Sequence, residues 1–401
     1  YNAFYFGHMY HKEGEFLMSK TVGIVCEYNP FHYGHRYHIE KAKEISGADA
    51  CVCIMSGSMV QRGEPAIYDK WQRAKTAINH GADLIIELPA YYALQSADNF
   101  AYGAVAMLDR LGVVDSLCFG AETDDIELLT KAAGIIANPT EEYQNAISAK
   151  IGSGSSYPEA CEYALRKCID ITEHEFFSPN NTLGICYIAA LKRLNSDIEP
   201  LCIKRANDYH SSASSDGFMS ASAIRTMIAS GEDYKSFAPD YSAFVSYSLL
   251  NADSYILGFF RNADAKSLAD VKGYEDGLAN RVISAAKKAC TSNEMYAMCT
   301  TKRYTLHRIK RFCACAMLGI RGEHEPSYVR ILGMNKKGSA LIKNIKKLSA
   351  LSIVTKAADF EGNAMYDMDI RATDFAALCA DETAERYCGK DFLKSPYIDQ
   401  R

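Results

Sequence analysis

The sequence predicts an α/β fold with an open parallel sheet, followed by a mainly helical C-terminal domain. Short apolar runs alternate with helical patterns up to residue 231, and long helical patterns with few strand signals follow. A length of 401 residues with 48% hydrophobic composition supports two packed cores.

The first strand is Thr21 to Tyr28, and helical spacing follows from Gly34 to Ile45. Further strands are expected at Ala50–Met55, Asp83–Leu88, Ser116–Phe119 and Ile198–Lys204, with helices at Tyr68–His80 and Ala97–Leu111. Gly152 to Pro158 reads as a loop inside this first unit. Beyond Gly231, Gly277–Cys290 and Tyr304–Leu318 read as helices. The expected division is a leader or cloning remnant at 1–18, a catalytic domain at 19–231 and a mainly helical basic domain at 232–401. Sequential βα units put a ligand site at the C-terminal ends of the strands.

No run approaches the roughly 20 apolar residues of a membrane-spanning helix, so no membrane association is expected. The first 17 residues lack the basic start, apolar centre and cleavage site of a signal peptide. Fourteen cysteines are scattered without a CxxC pair, which predicts buried thiols in a reducing cytoplasm and no metal site in the protein. The net charge of −5 conceals a segregation. Residues 281–350 hold 15 Lys and Arg against three Glu, so that segment is strongly basic and the remainder strongly acidic.

The strongest chemical signal is Glu27-Tyr-Asn-Pro-Phe-His-Tyr-Gly-His35, between the first strand and the first helix. Two imidazoles three residues apart can converge on one anion. Gly34 lets oxygens approach the backbone, and a helix N-terminus adds N–H donors and positive potential. His32 and His35 as a surface pair is the bland alternative, which the strand–turn–helix context and the leading Asn29-Pro30-Phe31 outweigh. No Walker-type GxxxxGK[ST] competes with it.

A second element, Ser220-Ala-Ser-Ala-Ile-Arg225, puts small hydroxyls before a helix and an arginine one turn inside it. Alone it reads as an ordinary Ser N-cap; after the last βα unit it reads as a clamp on phosphates. The loop bearing Gln61 and Arg62 follows the second strand and either faces substrate or merely connects. Gly120 ends a strand where a base or ribose could lie on backbone. Asn180 and Asn181 open a helix, and Lys204-Arg205 ends the last strand.

VGIVCEYNPFHYGH, MSGSMVQRGEPAIYDKW, GADLIIELP, QSADNFAYGAV, FGAE, PNNTLG, IKR and SASAIR, in that order, closely resemble the bacterial tRNA(Met) cytidine acetate ligase family. The resemblance is dense from Gly23 to Arg225 and continues through Tyr304–Arg311 and Tyr328–Met334. It implies the Rossmann-like sheet of the HxGH nucleotidyltransferases. It also implies a two-step reaction in which acetate and ATP give acetyl-adenylate, and the wobble cytidine of elongator tRNA(Met) accepts the acetyl group as N4-acetylcytidine.

The resemblance further implies catalytic roles for His32, Gly34, His35, Ser222 and Arg225. The implied ATP site comprises Val25, Cys26, Glu27, Tyr28, Asn29, Pro30, Phe31, His32, Tyr33, Gly34, His35, Tyr37 and His38, with Gly120, Asn181 and Arg205. Mg²⁺ would be held mainly by the phosphates of ATP. Phosphoryl displacement needs positioning and charge neutralisation more than a nucleophilic side chain.

The basic segment then has a purpose in tRNA binding through Lys302, Arg303, Arg308, Lys310, Arg311, Arg330, Lys336 and Lys337, with Tyr304 or Tyr328 stacking on bases. Taken alone, its charge is explained as well by a solvated helical surface. No protein partner is evident. Two other readings stay open from the residues: a small-molecule adenylyltransferase of the pantetheine-phosphate or nicotinamide-nucleotide type, and a noncatalytic RNA-binding protein.

Overall fold

A computed structural model describes residues 20–171, 176–205 and 218–400; the leader expected at 1–18 lies outside the described residues. Ten strands are described: β1 Thr21–Cys26, β2 Ala50–Ser56, β3 Met59–Val60, β4 Glu64–Pro65, β5 Leu84–Leu88, β6 Ser116–Ala121, β7 Glu199–Lys204, β8 Tyr328–Met334, β9 Ser352–Val354 and β10 Tyr397–Ile398. The main sheet runs β10-β8-β5-β2-β1-β6-β7, and β9 pairs with β8. The five strands from β5 to β7 are mutually parallel. Their order reverses between β1 and β6, the switch point where a crevice opens beyond the strand ends.

Alternation along each strand builds two packed layers. Val22, Ile24, Cys51, Cys53 and Ile85 face one way and pack with Ile39 and Ala42 of helix Tyr33–Ser46 and Ala74 of helix Lys70–Asn79. Val52, Ile54, Leu84, Ile86 and Leu117 face the other way, against helices Ala97–Leu111 and Pro179–Leu194. Every residue of β2 and β5 is buried, as expected for parallel strands covered on both faces. Gly23 allows helix Ala97–Leu111 to approach: a Cβ there would stand 2.9 Å from Leu108 Cδ2.

Between β6 and β7 the expected loop at 152–158 narrows to residues 153–156, flanked by helices Glu141–Gly152 and Tyr157–Cys168. Ser156 and Glu159 close a reciprocal capping box on the second of these.

The chain after residue 231 is mainly helical, yet β8 lies antiparallel to β5 in the main sheet, so the sheet itself crosses the expected boundary. This makes the sheet mixed. β8 is buried along its whole length, which corrects the expectation that Arg330 and Tyr328 contact RNA. Arg330 is fully enclosed, donating to the Tyr366 hydroxyl and approaching Asp391 Oδ1 at 3.5 Å. The Tyr328 hydroxyl donates to Asp369, whose Oδ1 accepts the Ala90 amide at 2.7 Å. Lys70 completes this network, with Glu87 at 2.8 Å and Asp391 at 2.9 Å, and no member is more than slightly accessible.

Removing one partner from a buried ionic network strands the other charges. Lys70→Ala is therefore expected to cost about 3–5 kcal/mol, read from urea unfolding. A loss below about 1 kcal/mol would show that the network is only weakly coupled to the fold.

Candidate active site

The turn after β1 is shaped by local geometry. Tyr28 takes a left-handed φ of 48°, and the Asn29–Pro30 peptide is cis. A left-handed non-glycine residue costs on the order of 1–2 kcal/mol. Here burial of the Tyr28 ring against Phe31 and His35, with centroids 5.0 and 4.9 Å away, offsets it. The turn is also held from outside. Asn29 Oδ1 accepts the Ile67 amide at 2.8 Å, and Arg225 donates to the Asn29 carbonyl at 2.5 Å.

The fully buried Arg73 guanidinium donates to the carbonyls of Tyr68 at 3.0 Å, Glu27 at 2.6 Å, Ser56 at 3.1 Å and Gly57. It thereby ties the ends of β1 and β2 together. Composition and spacing gave no signal for Arg73, because its partners are backbone carbonyls.

These elements enclose a cavity of about 590 Å³ at the C-terminal ends of β1, β6 and β7. Val25, Cys26, Glu27, Tyr28, Asn29, His32, His35 and His38 line it from the first βα unit. Gln61, Arg62, Gly120, Glu122, Asn180 and Arg205 line it from other strand ends and helix starts, and Ser220, Ala221, Ser222 and Arg225 from the last helix of the first unit. Sequence reasoning missed Phe100, Tyr187 and His307, which also line the cavity. His307 comes from the C-terminal half and carries no local motif. A contiguous 110 Å³ space is bounded by Gly34, Tyr37, Phe218 and Met219.

The His32 and His35 rings stack with centroids 3.7 Å apart. His35 Nδ1 accepts the His32 amide at 3.2 Å, so the neutral His35 ring carries its proton on Nε2. Gly34 acts first on His32: a Cβ there would stand 2.9 Å from the His32 ring. His32 Nδ1 and His38 Nε2 are buried without hydrogen-bond partners among the described residues, the state expected of groups awaiting a ligand. Burial, reinforced by the Arg205 charge, lowers His32 to about 3 and His38 to about 4. His35 is pushed well below the ordinary range by burial and then by the His32 charge. The imidazoles are therefore neutral donors and acceptors at neutral pH.

Helices Tyr33–Ser46, Pro179–Leu194 and Ala221–Ser230 all present their N-termini to the cavity, and Arg62, Arg205 and Arg225 add positive charge. Such a concave, positive site suits a polyphosphate. Arg225 also donates to Ser222 Oγ at 2.9 Å, so the expected clamp is assembled as one unit.

Several expected ATP-site residues stand elsewhere. Phe31 is fully buried, its carbonyl accepting the Tyr241 hydroxyl at 2.5 Å, and the Tyr33 amide donates to the Phe237 carbonyl. Pro30, Phe31 and Tyr33 therefore support the turn without lining the cavity. Asn181 is likewise buried. Its Oδ1 accepts the amides of Glu122 and Thr123 and its Nδ2 donates to the Phe176 carbonyl, leaving Asn180 as the cavity-lining asparagine.

The basic segment does not form one surface. His307 lines the cavity, whereas Lys302 and Arg303 are exposed in the segment that precedes its helix, with Arg303 and Arg308 flanking Glu275. Lys310 pairs with Glu64 at 3.0 Å and Arg311 donates to the Gln61 carbonyl, so both are engaged in docking the β3–β4 hairpin. Gly63 makes that docking possible: it has φ 79°, and a Cβ would stand 2.4 Å from the Arg311 amide nitrogen. Tyr304 is buried, its hydroxyl on Glu275.

Lys336 and Lys337 belong to helix Lys336–Leu348, at the opposite end of the sheet. There the Asn335 amide meets the Asp83 carbonyl, Lys337 meets the Asp49 carbonyl, and Leu348 packs on Gly112, residues that precede β5, β2 and β6.

Comparison with known proteins agrees with this arrangement along nearly the whole chain. The family model for the HIGH nucleotidyl transferases matches residues 19–391. The tRNA(Met) cytidine acetate ligase of Acetivibrio thermocellus is 37% identical over 416 residues, covering 94% of this chain and 100% of that protein. A ligase of the same name from Clostridium perfringens is 35% identical, covering 94% and 98%. The crystal structure of Thermotoga maritima TmcAL bound with alpha-thio ATP matches with a TM-score of 0.86 and 30% identity over 95% of this chain and 100% of that one. The two-layered sheet, the His32/His35 turn and the hydrogen-bonded Ser222/Arg225 pair thus stand in a chain that belongs to the tRNA(Met) cytidine acetate ligase family of HIGH nucleotidyl transferases.

Proposed function

We propose that this protein is an ATP-dependent acetate ligase that acetylates N4 of the wobble cytidine of elongator tRNA(Met), acting in the cytoplasm. The observation that carries the reading is the His32/His35 pair, set where three helix N-termini and three arginines meet, in a chain similar to these ligases from end to end.

In the first step an acetate oxygen attacks the α-phosphorus of ATP and the bond to pyrophosphate breaks, giving acetyl-adenylate. Neutral His32 and His35 supply N–H donors to the α- and β-phosphates, and Gly34 leaves room for the His32 ring. Arg225 and Ser222 hold the leaving pyrophosphate, while Arg205 and Gly120 border the nucleotide. Mg²⁺ would be held mainly by the phosphates of ATP and would there neutralise charge on the leaving pyrophosphate. These groups act by charge stabilisation and positioning, with no covalent enzyme intermediate.

In the second step the acceptor RNA reaches the mouth past Arg62 and His307, whose imidazole can stack, and Lys302, Arg303 and Arg308, close to His307 in the chain, add charge that attracts its phosphates. A small-molecule adenylyltransferase has no need of this second basic unit, and a noncatalytic RNA-binding protein no need of an assembled phosphate clamp.

Labelled acetate, ATP and unmodified elongator tRNA(Met) are expected to yield N4-acetylcytidine; an active preparation that forms no labelled RNA would overturn the reading. Lys302→Glu with Arg303→Glu is expected to raise the KM for tRNA by about tenfold or more and flatten its salt dependence, with acetate-dependent ATP–pyrophosphate exchange intact. Lys336→Glu with Lys337→Glu, at the far end of the sheet, is expected to change KM by less than about twofold.

The histidines predict a pH signature. Their depressed values favour the folded state fully above the ordinary value of about 6.5, and that contribution is lost as pH falls toward 4 and then 3. Phosphates placed against them raise these values, so ATP binding takes up protons below about pH 6.5. Calorimetry at about pH 5.5 in buffers of different ionisation enthalpy should report net uptake, with a larger ATP-induced rise in melting temperature than at about pH 8. Zero uptake, after correction for the proton on ATP itself, would mean that bound phosphates do not raise His32 or His38 to the pH of the measurement.

A further inference from the structure

Attack by a cytosine amine needs a proton acceptor, because the N4 lone pair is delocalised into the ring and the nitrogen becomes acidic only as its new bond forms. The imidazoles nearest the phosphates are poor candidates. Burial has already cost His32, His35 and His38 most of their basicity. His307 is lowered too, by burial and then by the Arg62 charge.

Of the two carboxylates lining the cavity, Glu122 is committed: one oxygen accepts Ser178 Oγ and the Asn181 amide, the other Asn180 Nδ2. Glu27 is different. It follows β1 directly, and its Oε1 accepts the Gln61 amide at 2.7 Å and the Ser56 hydroxyl at 3.3 Å. Its Oε2 has no hydrogen-bond partner among the described residues, although the side chain lines the cavity. Arg73 holds the Glu27 carbonyl at 2.6 Å, which fixes the backbone that carries this carboxylate.

We propose that Glu27 is the general base of the second half-reaction, an inference that rests on the ligase reading above. Glu27 Oε2 takes the proton from the cytidine N4 as that nitrogen attacks the acetyl carbonyl carbon. The new C–N bond forms, the C–O bond to the adenylate breaks, and its electron pair leaves on the phosphate of AMP. The proton then passes from Glu27 to water. Burial raises the Glu27 carboxyl, which brings its proton affinity nearer to working pH than that of an exposed glutamate. The position also suits delivery of the base. The Gln61–Arg62 tip is held between Glu27 on one side and Arg311 on the other, so RNA entering past Arg62 and His307 meets Glu27.

Glu27→Gln keeps the shape and the acceptor for the Gln61 amide while removing the base. Acetate-dependent ATP–pyrophosphate exchange and single-turnover acetyl transfer to tRNA are to be measured on one preparation between about pH 5 and 9. At saturating ATP and acetate, transfer is expected to fall by about 100-fold or more and to lose its acid limb, a loss at least about tenfold larger than any accompanying loss of exchange. Glu27→Asp, which retains a carboxylate, should recover part of the rate together with the acid limb.

Unchanged transfer, or an acid limb that persists in Glu27→Gln, would overturn the proposal. So would equal loss of exchange and transfer, with an unchanged melting temperature, which would assign Glu27 to the binding of acetate or ATP. Failure of the unaltered protein to form acetylcytidine would instead sink the ligase reading, and this inference with it.

Discussion

The site depends on one buried cation. Arg73 gives its N–H groups to four backbone carbonyls from the end of β1, the end of β2 and the start of its own helix. Three of those carbonyls, of Glu27, Gly57 and Tyr68, lie outside the strands and helices, where no ladder bond satisfies them. A guanidinium can satisfy several of them at once because its donors are arranged in a fixed plane and it stays charged when enclosed. Fixing Glu27, Ser56 and Gly57 in this way orients the turn that leads to His32 and His35, and with it the start of the first helix.

Around that anchor, close approaches that only glycine permits bring separate parts of the chain to one cavity. Gly57 leaves space for the Glu87 carboxylate, where a Cβ would stand 2.2 Å from Oε1. Gly63 lets the β3–β4 hairpin sit on helix Leu306–Leu318, which carries His307 to the cavity edge. β8 contributes from the opposite edge of the sheet, closing the buried network of Lys70, Glu87, Asp391 and Arg330. The C-terminal half is thus joined to the catalytic sheet through backbone pairing, buried charge and a docked hairpin. The proposed route for RNA and the proposed site of chemistry are thereby held in one fixed relation.

Electrostatics separates the roles inside the cavity. Burial keeps the three histidines of the first βα unit neutral, which suits hydrogen bonding to phosphates and leaves them poor proton acceptors. The arginines and helix N-termini supply positive potential without titrating near neutral pH. In the proposed mechanism acid–base work and charge stabilisation therefore fall to different side chains.

Local pattern determined much on its own. Short apolar runs located β1, β2, β5, β6 and β7, because parallel strands covered on both faces read as continuous apolar segments, and helical spacing located helices Tyr33–Ser46, Lys70–Asn79 and Ala97–Leu111. The strand–turn–helix setting of His32-Tyr-Gly-His35 marked a turn that lines the cavity, because the property it reports, a helix N-terminus at a strand end, is itself local. Tertiary structure decided the rest. Asn181 and Phe31 sit inside motif runs yet turn away from the cavity, and the choice of Asn180 over Asn181 depends on a loop from another strand. Arg330 and Lys302 are equally basic as letters. One is walled in by Tyr366 and Asp391 while the other lies exposed, since burial of a charge is set by partners distant in the chain. Lys336 and Lys337 share the charge of that segment but stand at the far end of the sheet, because the pairing of β8 with β5 fixes where the following helix begins.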